Sequence, residues 1–259
     1  MADVLPAGIA FSLEHERRFA VDGFVAVEGL LDEADVEEVL AALAQVLEHP
    51  GRALVDYESW AVDRLSGLSG AARMDAVRKF MHFVTESARL EALARDPRIL
   101  TVVRQLCGSD DVSLLQDMAL LKPPGGGREK PWHQDNAFFA FEPGTPIVGV
   151  WIALDAATMA NGCMHVVPGS HRRGPVVHFR RRDFQICDGD VDADGDTVVP
   201  LQPGGALFFH GLLHHGTPAN RTEKRRRAIQ LHYVPQGVPG VSDQRRLDIF
   251  GDEGKDVTC

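Results

Sequence analysis

His133 and Asp135, two apart in the segment Pro131-Trp132-His133-Gln134-Asp135, are placed to share a metal ion. At the end of a strand, side chains two positions apart project to the same side, so an imidazole nitrogen and a carboxylate oxygen converge. Such a pair also occurs in solvated loops, so the chemistry depends on a further ligand. The segment ALFFHGLLHHGTPANRTEKRRRAIQLHYV, residues 206–234, offers His210, His214 and His215. Two imidazoles and one carboxylate on one face of an octahedral Fe(II) leave three adjacent positions open. Those positions suit a bidentate 2-oxo acid and dioxygen. The far carboxylate of such a co-substrate needs a permanent cation, and Arg supplies a planar fork that stays charged. Arg225, Arg226 and Arg227 follow the histidines. On a strand, alternation sends Arg226 to one face and both neighbours to the other.

The chain that must position these groups has ordinary globular composition. Its 259 residues are 44% hydrophobic and 25% charged, enough for one large domain and unlike a disordered, collagen-like or disulfide-scaffold chain. Acidic residues number 37 against 27 basic ones, giving a formal charge of −10. That mean field repels a polyanion and argues against a general nucleic-acid binder. Eleven His is a generous supply of the side chain that most often binds metal or moves protons near neutral pH. Cys107, Cys163, Cys187 and Cys259 form no C-x-x-C pair, so neither a thiolate zinc site nor a disulfide framework is expected. The start, MADVLPAGIAFSLEHERR, lacks a basic head followed by an apolar run, and no stretch reaches membrane-spanning length without charges. A cytoplasmic setting is expected.

The first 110 residues read mainly as helix. A turn led by Ser12 runs to Gly23, the strand FVAVEG follows, and Asp32 caps a periodic segment whose Val36, Val39, Leu40, Leu43, Val46 and Leu47 share a face until His49-Pro50. Two more helical patterns span roughly 75–93 and 97–106, stopping at Gly108. From Val112 the texture changes to short apolar or alternating runs, VSLLQDMALLK, IVGVWIAL, CMHVVPG, TVVPL, ALFFH and RAIQLHYV, separated by turn residues. That pattern indicates an antiparallel sandwich or barrel. With no Ser/Gly-rich linker between the halves, 1–259 reads as a single domain whose β-rich core covers about 111–235.

In WHQD at 132–135, VGVWIALDAATMANGCMHVVPGSH at 148–171, GGALFFHGLLHHGTPAN at 204–220 and RRAIQLHYV from Arg226, the chain resembles the phytanoyl-CoA dioxygenase family of Fe(II)- and 2-oxoglutarate-dependent oxygenases. The branch of phytanoyl-CoA dioxygenase domain-containing proteins is especially similar. The resemblance covers much of the β-rich half, in order and near the right separations; the helical half matches more loosely. It implies a mainly β fold with flanking α-helices, the double-stranded β-helix or jelly roll. It also implies Fe(II), 2-oxoglutarate and O2 as cofactor and co-substrates, with hydroxylation of an aliphatic C–H and release of succinate and CO2. Residue by residue, it puts the metal on His133 and Asp135 and, because the family's distal His is followed by Gly or Lys and then Ser or Thr, on His215. Arg226, eleven residues beyond, falls on the family's 2-oxoglutarate-binding Arg, with Thr217 as a hydroxyl donor to the same carboxylate. Trp151 and Met118 fall on positions that line the co-substrate pocket, Gln134 sits between two ligands, and Lys79 matches a co-substrate-binding Lys across a gap.

Other features take plainer readings. The run DGDVDADGD at 188–196 imitates a calcium loop but has Leu201 where a bidentate Glu is required, so it reads as an acidic turn-rich loop. Gly125-Gly126-Gly127 lacks the Lys-Ser/Thr of a phosphate loop and reads as a flexible loop over the site mouth. His165 and His171 read as structural or rim residues, and Cys163 and Met164 as core. Arg172, Arg173 and Arg180–Arg182 form a cationic island, readable as a substrate mouth for an anion or as a solvated loop balancing the Asp run. Phe138, Phe139 and Phe141 read as an apolar wall or as core. The expected partner is thus a small molecule, anionic or apolar, with no nucleic acid, membrane or protein partner implied. Related halogenases replace the carboxylate ligand with a small residue, and Asp135 is intact. The alternatives are desaturation, epimerisation or cyclisation with the same cofactors, or a non-enzymatic metal-binding jelly-roll module; a zinc hydrolase lacks a general base near the triad.

Overall fold

The computed structural model describes Ala2, Val4–Leu5 and residues 11–251; Cys259, counted above, lies outside them. The described residues form six α-helices, α1 (Leu13–Asp22), α2 (Glu33–Glu48), α3 (Gly70–Asp75), α4 (Ala88–Ala94), α5 (Pro97–Cys107) and α6 (Asp243–Phe250). They also form fourteen strands: β1 (Val4–Leu5), β2 (Phe24–Val27), β3 (Leu54–Tyr57), β4 (Val77–Met81), β5 (Val112–Lys122), β6 (Lys130–His133), β7 (Val148–Ala153), β8 (Met164–Val166), β9 (His178–Arg180), β10 (Phe184–Ile186), β11 (Thr197–Val199), β12 (Ala206–His210), β13 (His215–Thr217) and β14 (Arg226–Pro235).

Local chemistry sets the early boundaries. α1 stops at Gly23, whose φ of 84° is the left-handed value that a residue without Cβ adopts freely. In α2 the Asp32 carboxylate accepts the Asp35 N–H at 2.8 Å, and Val36, Val39, Leu43, Val46 and Leu47 are buried. The expected helix over 75–93 is not one. Val77–Met81 is strand β4, and only Ala88–Ala94 is α-helical. Val77, Phe80 and Val84 recur at helical spacing and are buried, which imitates an amphipathic helix. The strand's alternation is interrupted at Arg78, where its pairing with β3 shifts register, and Arg78, Lys79 and Met81 all face a cavity rather than dry core.

Eight strands form one sheet in the order β1-β2-β12-β7-β14-β5-β4-β3, and four form a second in the order β11-β8-β13-β6. β9 and β10 pair separately. All pairings except β1 with β2 are antiparallel. Strand alternation divides the large sheet cleanly. Val148, Val150 and Ile152 of β7, Ile229, Leu231 and Tyr233 of β14, and Phe208 of β12 share one core with the apolar faces of α2, α4 and α5. The opposite face, with Trp151, Ala153, Leu207, Phe209 and Ala228, packs on Met164, Val166 and Val199 of the small sheet. Helices cover one face and the second sheet the other, the sandwich that a jelly roll with flanking helices requires.

One glycine is decisive for the inner face. A Cβ at Gly149 would collide with the Phe209 ring, so its absence lets that ring lie across β7 and reach the His215 ring, 4.8 Å between centroids.

Candidate active site

β6 ends at His133 and β13 begins at His215, and the two are cross-strand partners. Their rings lie 4.1 Å apart between centroids. Asp135 opens a short helical turn directly after β6, pinned where the Asn136 N–H donates to the Gly211 carbonyl at 3.0 Å. Among the described residues, the one convergent group of His, Cys, Asp or Glu is His133, Asp135 and His215, with ligand atoms all within 4.8 Å of one another.

The protonation pattern of this triad suits a metal. A carbonyl only accepts, so His133 Nδ1 donates to Pro131 at 2.8 Å and His215 Nδ1 to Leu213 at 2.9 Å. Each ring therefore turns its Nε2 to the shared space, where a metal would take the place of a proton. Burial, reinforced by neighbouring His133, pushes the His215 imidazole down to about 3, which keeps it a neutral donor. For Asp135, burial pushes the carboxyl up; His215, His232 and hydrogen bonds from His133 and His232 outweigh it and hold the group well below the usual carboxylate range. Asp135 Oδ1 lies 3.3 Å from His133 Nε2 and 3.6 Å from His215 Nε2. Three lone-pair donors thus face one point in a dry pocket, an arrangement that fits a divalent cation.

The triad opens into a cavity of about 290 Å³ between the sheets. Arg226, 2% exposed, lines it from β14. Its Nη1 donates to the Leu120 carbonyl at 3.2 Å, its guanidinium lies 5.4 Å from the Trp151 ring centre, and its Nε has no hydrogen-bond partner. Among the described residues no carboxylate pairs with it. Burial lowers it to about 10, so it stays charged at neutral pH. Thr217 and Met118 also line the cavity.

Lys79 lines it from β4, opposite Leu120 in register, and has no carboxylate partner among the described residues. Trp151 and Gln134 do not line it. Trp151 is buried in the core between the sheets, beneath Arg226. The Gln134 amide is spent on backbone: its Nε2 donates to the Gly174 and Leu212 carbonyls at 2.9 and 2.8 Å, and its Oε1 accepts the Val176 N–H at 2.8 Å. It straps the segment before β9 onto the site.

Several lining residues carry no signal of their own in sequence. Lys122, cross-strand from Arg226, donates to the carbonyls of Arg128, Thr217 and Pro218 at 2.5, 3.4 and 2.8 Å. Burial first, then Arg226, pushes its amine down to about 6. Asp183 joins two other wall cations, Arg78 at 2.9 Å and Lys130 at 3.0 Å. Gln230 and His232 hold Asp135 from behind. Alternation along β14 is the signal that reaches them, since 228, 230 and 232 share the face of Arg226.

Most of the remaining candidates fall outside the cavity. His214 is 1% exposed and neither ring nitrogen has a partner; His210 Nδ1 accepts the Leu212 N–H at 3.0 Å. His165 pairs with Asp196 at 2.6 Å. Phe138 and Phe139 line the cavity, whereas Phe141 packs elsewhere against Phe139, Ile147 and Val234. In the basic island two arginines meet acids: Arg182 lies 2.6 Å from Asp188 and 3.4 Å from Glu129, and Arg173 lies 3.9 Å from Asp192. None of its members lines the cavity.

Comparison with known proteins follows this geometry. A family model described as phytanoyl-CoA dioxygenase matches residues 19–228. A Caenorhabditis elegans protein named probable phytanoyl-CoA dioxygenase is 28% identical over 253 residues, covering 90% of this chain and 78% of the relative. The peroxisomal phytanoyl-CoA dioxygenase of Rattus norvegicus is 27% identical over 264 residues, covering 95% of this chain and 73% of the relative. Among solved structures, the non-heme α-ketoglutarate-dependent epimerase SnoN from nogalamycin biosynthesis superposes with a TM-score of 0.66 at 25% identity, over 93% of this chain and 90% of that one. The non-heme monooxygenase ThoJ gives a TM-score of 0.70 at 26% identity, over 88% and 79%.

Proposed function

The chain belongs to the phytanoyl-CoA dioxygenase family, and we propose from that membership and from its cavity that it is an Fe(II)- and 2-oxoglutarate-dependent dioxygenase acting on a small organic substrate. In this reading His133, Asp135 and His215 hold the iron, and Arg226 with Thr217 takes the C5 carboxylate of 2-oxoglutarate. Met118 lines the co-substrate space, and Lys79 supplies a second cation to it. Trp151 acts only as the surface on which Arg226 rests, and Gln134 only as a strap. Bound iron supplies activation of dioxygen at the expense of 2-oxoglutarate, which leaves as succinate and CO2. The protein binds, orients and excludes water around that chemistry. The unit is taken as one domain, 1–259, since the helices share a core with the large sheet.

The observation that carries this reading is the buried guanidinium of Arg226 without a carboxylate, in the same cavity as three converging ligand atoms. An unpaired buried cation is unfavourable by several kcal/mol, and a dianionic co-substrate spanning triad and Arg226 removes that penalty. The walls suggest the primary substrate. Met81, Phe138 and Phe139 offer apolar surface, and Lys79, with Arg78 and Lys130 sharing Asp183, offers cationic surface. An amphipathic small acid or acyl compound fits, with an aliphatic C–H as the oxidised bond. Epimerisation is a second outcome of the same chemistry, favoured by the likeness to SnoN.

Among the described residues no helix is long and apolar enough to cross a membrane. The cytoplasmic location is part of the proposal; rat, mouse and cattle relatives are named peroxisomal, and cell fractionation separates the two.

Succinate release tests the function. With Fe(II), 2-oxoglutarate and a panel of small acids, acyl thioesters and apolar metabolites, one class should raise succinate well above the substrate-free rate, with product mass shifted by one oxygen for hydroxylation and unchanged for epimerisation. No succinate under any condition would reject the reading.

A further inference from the structure

We propose that Gln230 and His232 are positioning residues that hold Asp135 as a one-oxygen ligand and thereby keep a third coordination position free at the metal. The inference rests on the iron reading above and concerns residues to which that reading gives no part.

The two oxygens of Asp135 have different surroundings. Oδ1 faces His133 Nε2 and His215 Nε2 at 3.3 and 3.6 Å. Oδ2 accepts from His232 Nε2 at 2.7 Å and from Gln230 Nε2 at 3.0 Å. A carboxylate oxygen has two in-plane lone pairs, and here both are met by N–H donors. Asp135, Gln230 and His232 are at most 3% exposed, so water is poorly placed to replace either donor. Turning Oδ2 to a metal would break both of these contacts in a dry site, where water does not replace them. Oδ1 is therefore the oxygen left for coordination.

His232 turns one edge to this corner: its Nε2 lies 2.7 Å from Asp135 Oδ2 and 3.1 Å from Gln230 Nε2, and its Nδ1 has no hydrogen-bond partner. The ring is held instead by Phe139 edge-on, 5.0 Å between centroids, and by Phe209 at 6.3 Å. The polar contacts of the ring are thus confined to Asp135 and Gln230. Arg226, Gln230 and His232 follow one another at even spacing along β14 and face the same side. A single strand thus carries the cation for the co-substrate and both groups that orient the carboxylate.

The consequence is a count. Six octahedral positions less two imidazoles and one carboxylate oxygen leave three, which a bidentate 2-oxo acid and dioxygen fill. A two-oxygen Asp135 would leave two.

The test uses the full-length protein stripped of metal and titrated anaerobically with Co(II), followed by visible absorption. Groups that orient metal ligands typically change affinity by about 10–100-fold when removed. We expect a Kd raised within that range in His232→Phe, a smaller rise in Gln230→Met, and a milder loss in His232→Gln, which restores an N–H donor, than in His232→Phe. Circular dichroism checks that each variant is folded, and the near-isosteric Gln230→Met keeps the test alive should a His232 variant unfold. Parental Co(II) affinity in both Gln230→Met and His232→Phe, with binding lost in His133→Ala, overturns this inference and leaves the iron reading intact. Failure of the parent protein itself to bind Co(II) overturns the iron reading and this inference with it.

Discussion

Two regions of the molecule are rich in cations, and they use them oppositely. Between residues 172 and 182 the basic side chains cluster in sequence, and acids meet two of them at the surface: Arg182 sits on Asp188 and Glu129, and Arg173 faces Asp192. Around the cavity, Arg78, Lys79, Lys122, Lys130 and Arg226 come from four strands far apart in sequence, and Lys79 and Arg226 have no carboxylate among the described residues. Clustering in sequence exposes charges to solvent and to one another, where pairs contribute little and salt screens them. Convergence from separate strands turns them to one cavity and buries Lys122 and Arg226, and a buried charge without a carboxylate, as at Arg226, is a demand for a ligand.

This contrast is open to attack at each end. Arg226→Leu should raise the 2-oxoglutarate concentration needed for half-maximal succinate formation by about 100-fold or more, as removal of one partner from a buried charge pair does. A change under 5-fold would mean that the buried cation is not the co-substrate's partner.

Buried histidines give the next largest effect, through pH. His210 is pushed down to about 4 by burial first and His171 second. The folded state therefore stays neutral where the unfolded chain, near 6.5, takes a proton. The stability so held is complete above about pH 6.5 and is lost as pH falls toward 4. At pH 5 this one group accounts for roughly 2 kcal/mol. Urea unfolding of parent and His210→Gln at pH 7 and pH 5 should show the fall shrink by about that amount in the variant; an unchanged fall would contradict the assignment.

Lys79→Met should weaken ligand binding about 10-fold, in line with loss of one charge-assisted hydrogen bond of about 1.5 kcal/mol. The shift should appear in the 2-oxoglutarate dependence if Lys79 serves the co-substrate, and in that of the primary substrate if it faces the mouth. The smallest effect is assigned to the island: Arg182→Ala should change either dependence less than 2-fold, since exposed pairs contribute about 0–1 kcal/mol. A 10-fold loss there would return the substrate mouth to the 172–182 loop.

Legibility followed locality. His133 and Asp135 were readable from their two-residue spacing, whereas the choice of His215 among three histidines, and of Arg226 among three arginines, came from the family resemblance; alternation added that Arg226 faces away from Arg225 and Arg227. The same rule carries two further steps, to Gln230 and His232, and it also turns Gln134 away, since a residue between two same-face ligands must point to the other side. The resemblance put Trp151 on the co-substrate pocket, but the packing of two sheets decides whether an inner-face ring reaches a cavity or a neighbour, and here it meets Arg226. Strand β4 was hidden because a register shift at Arg78 interrupts its alternation and Arg78, Lys79 and Met81 all turn to the cavity. Which acids answer the island, and that Asp183 joins Arg78 to Lys130, depend on contacts between elements distant in sequence, which no local pattern encodes.

The central claim is that His133, Asp135 and His215 bind iron and that 2-oxoglutarate chelates it beside Arg226. Anaerobic addition of Fe(II) and then 2-oxoglutarate, read by visible absorption, tests this directly. The weak visible band of a metal-chelated 2-oxo acid should appear in the parent and in His214→Ala and be absent in His133→Ala and His215→Ala. A band that survives in His215→Ala but is lost in His214→Ala would contradict the site as assigned.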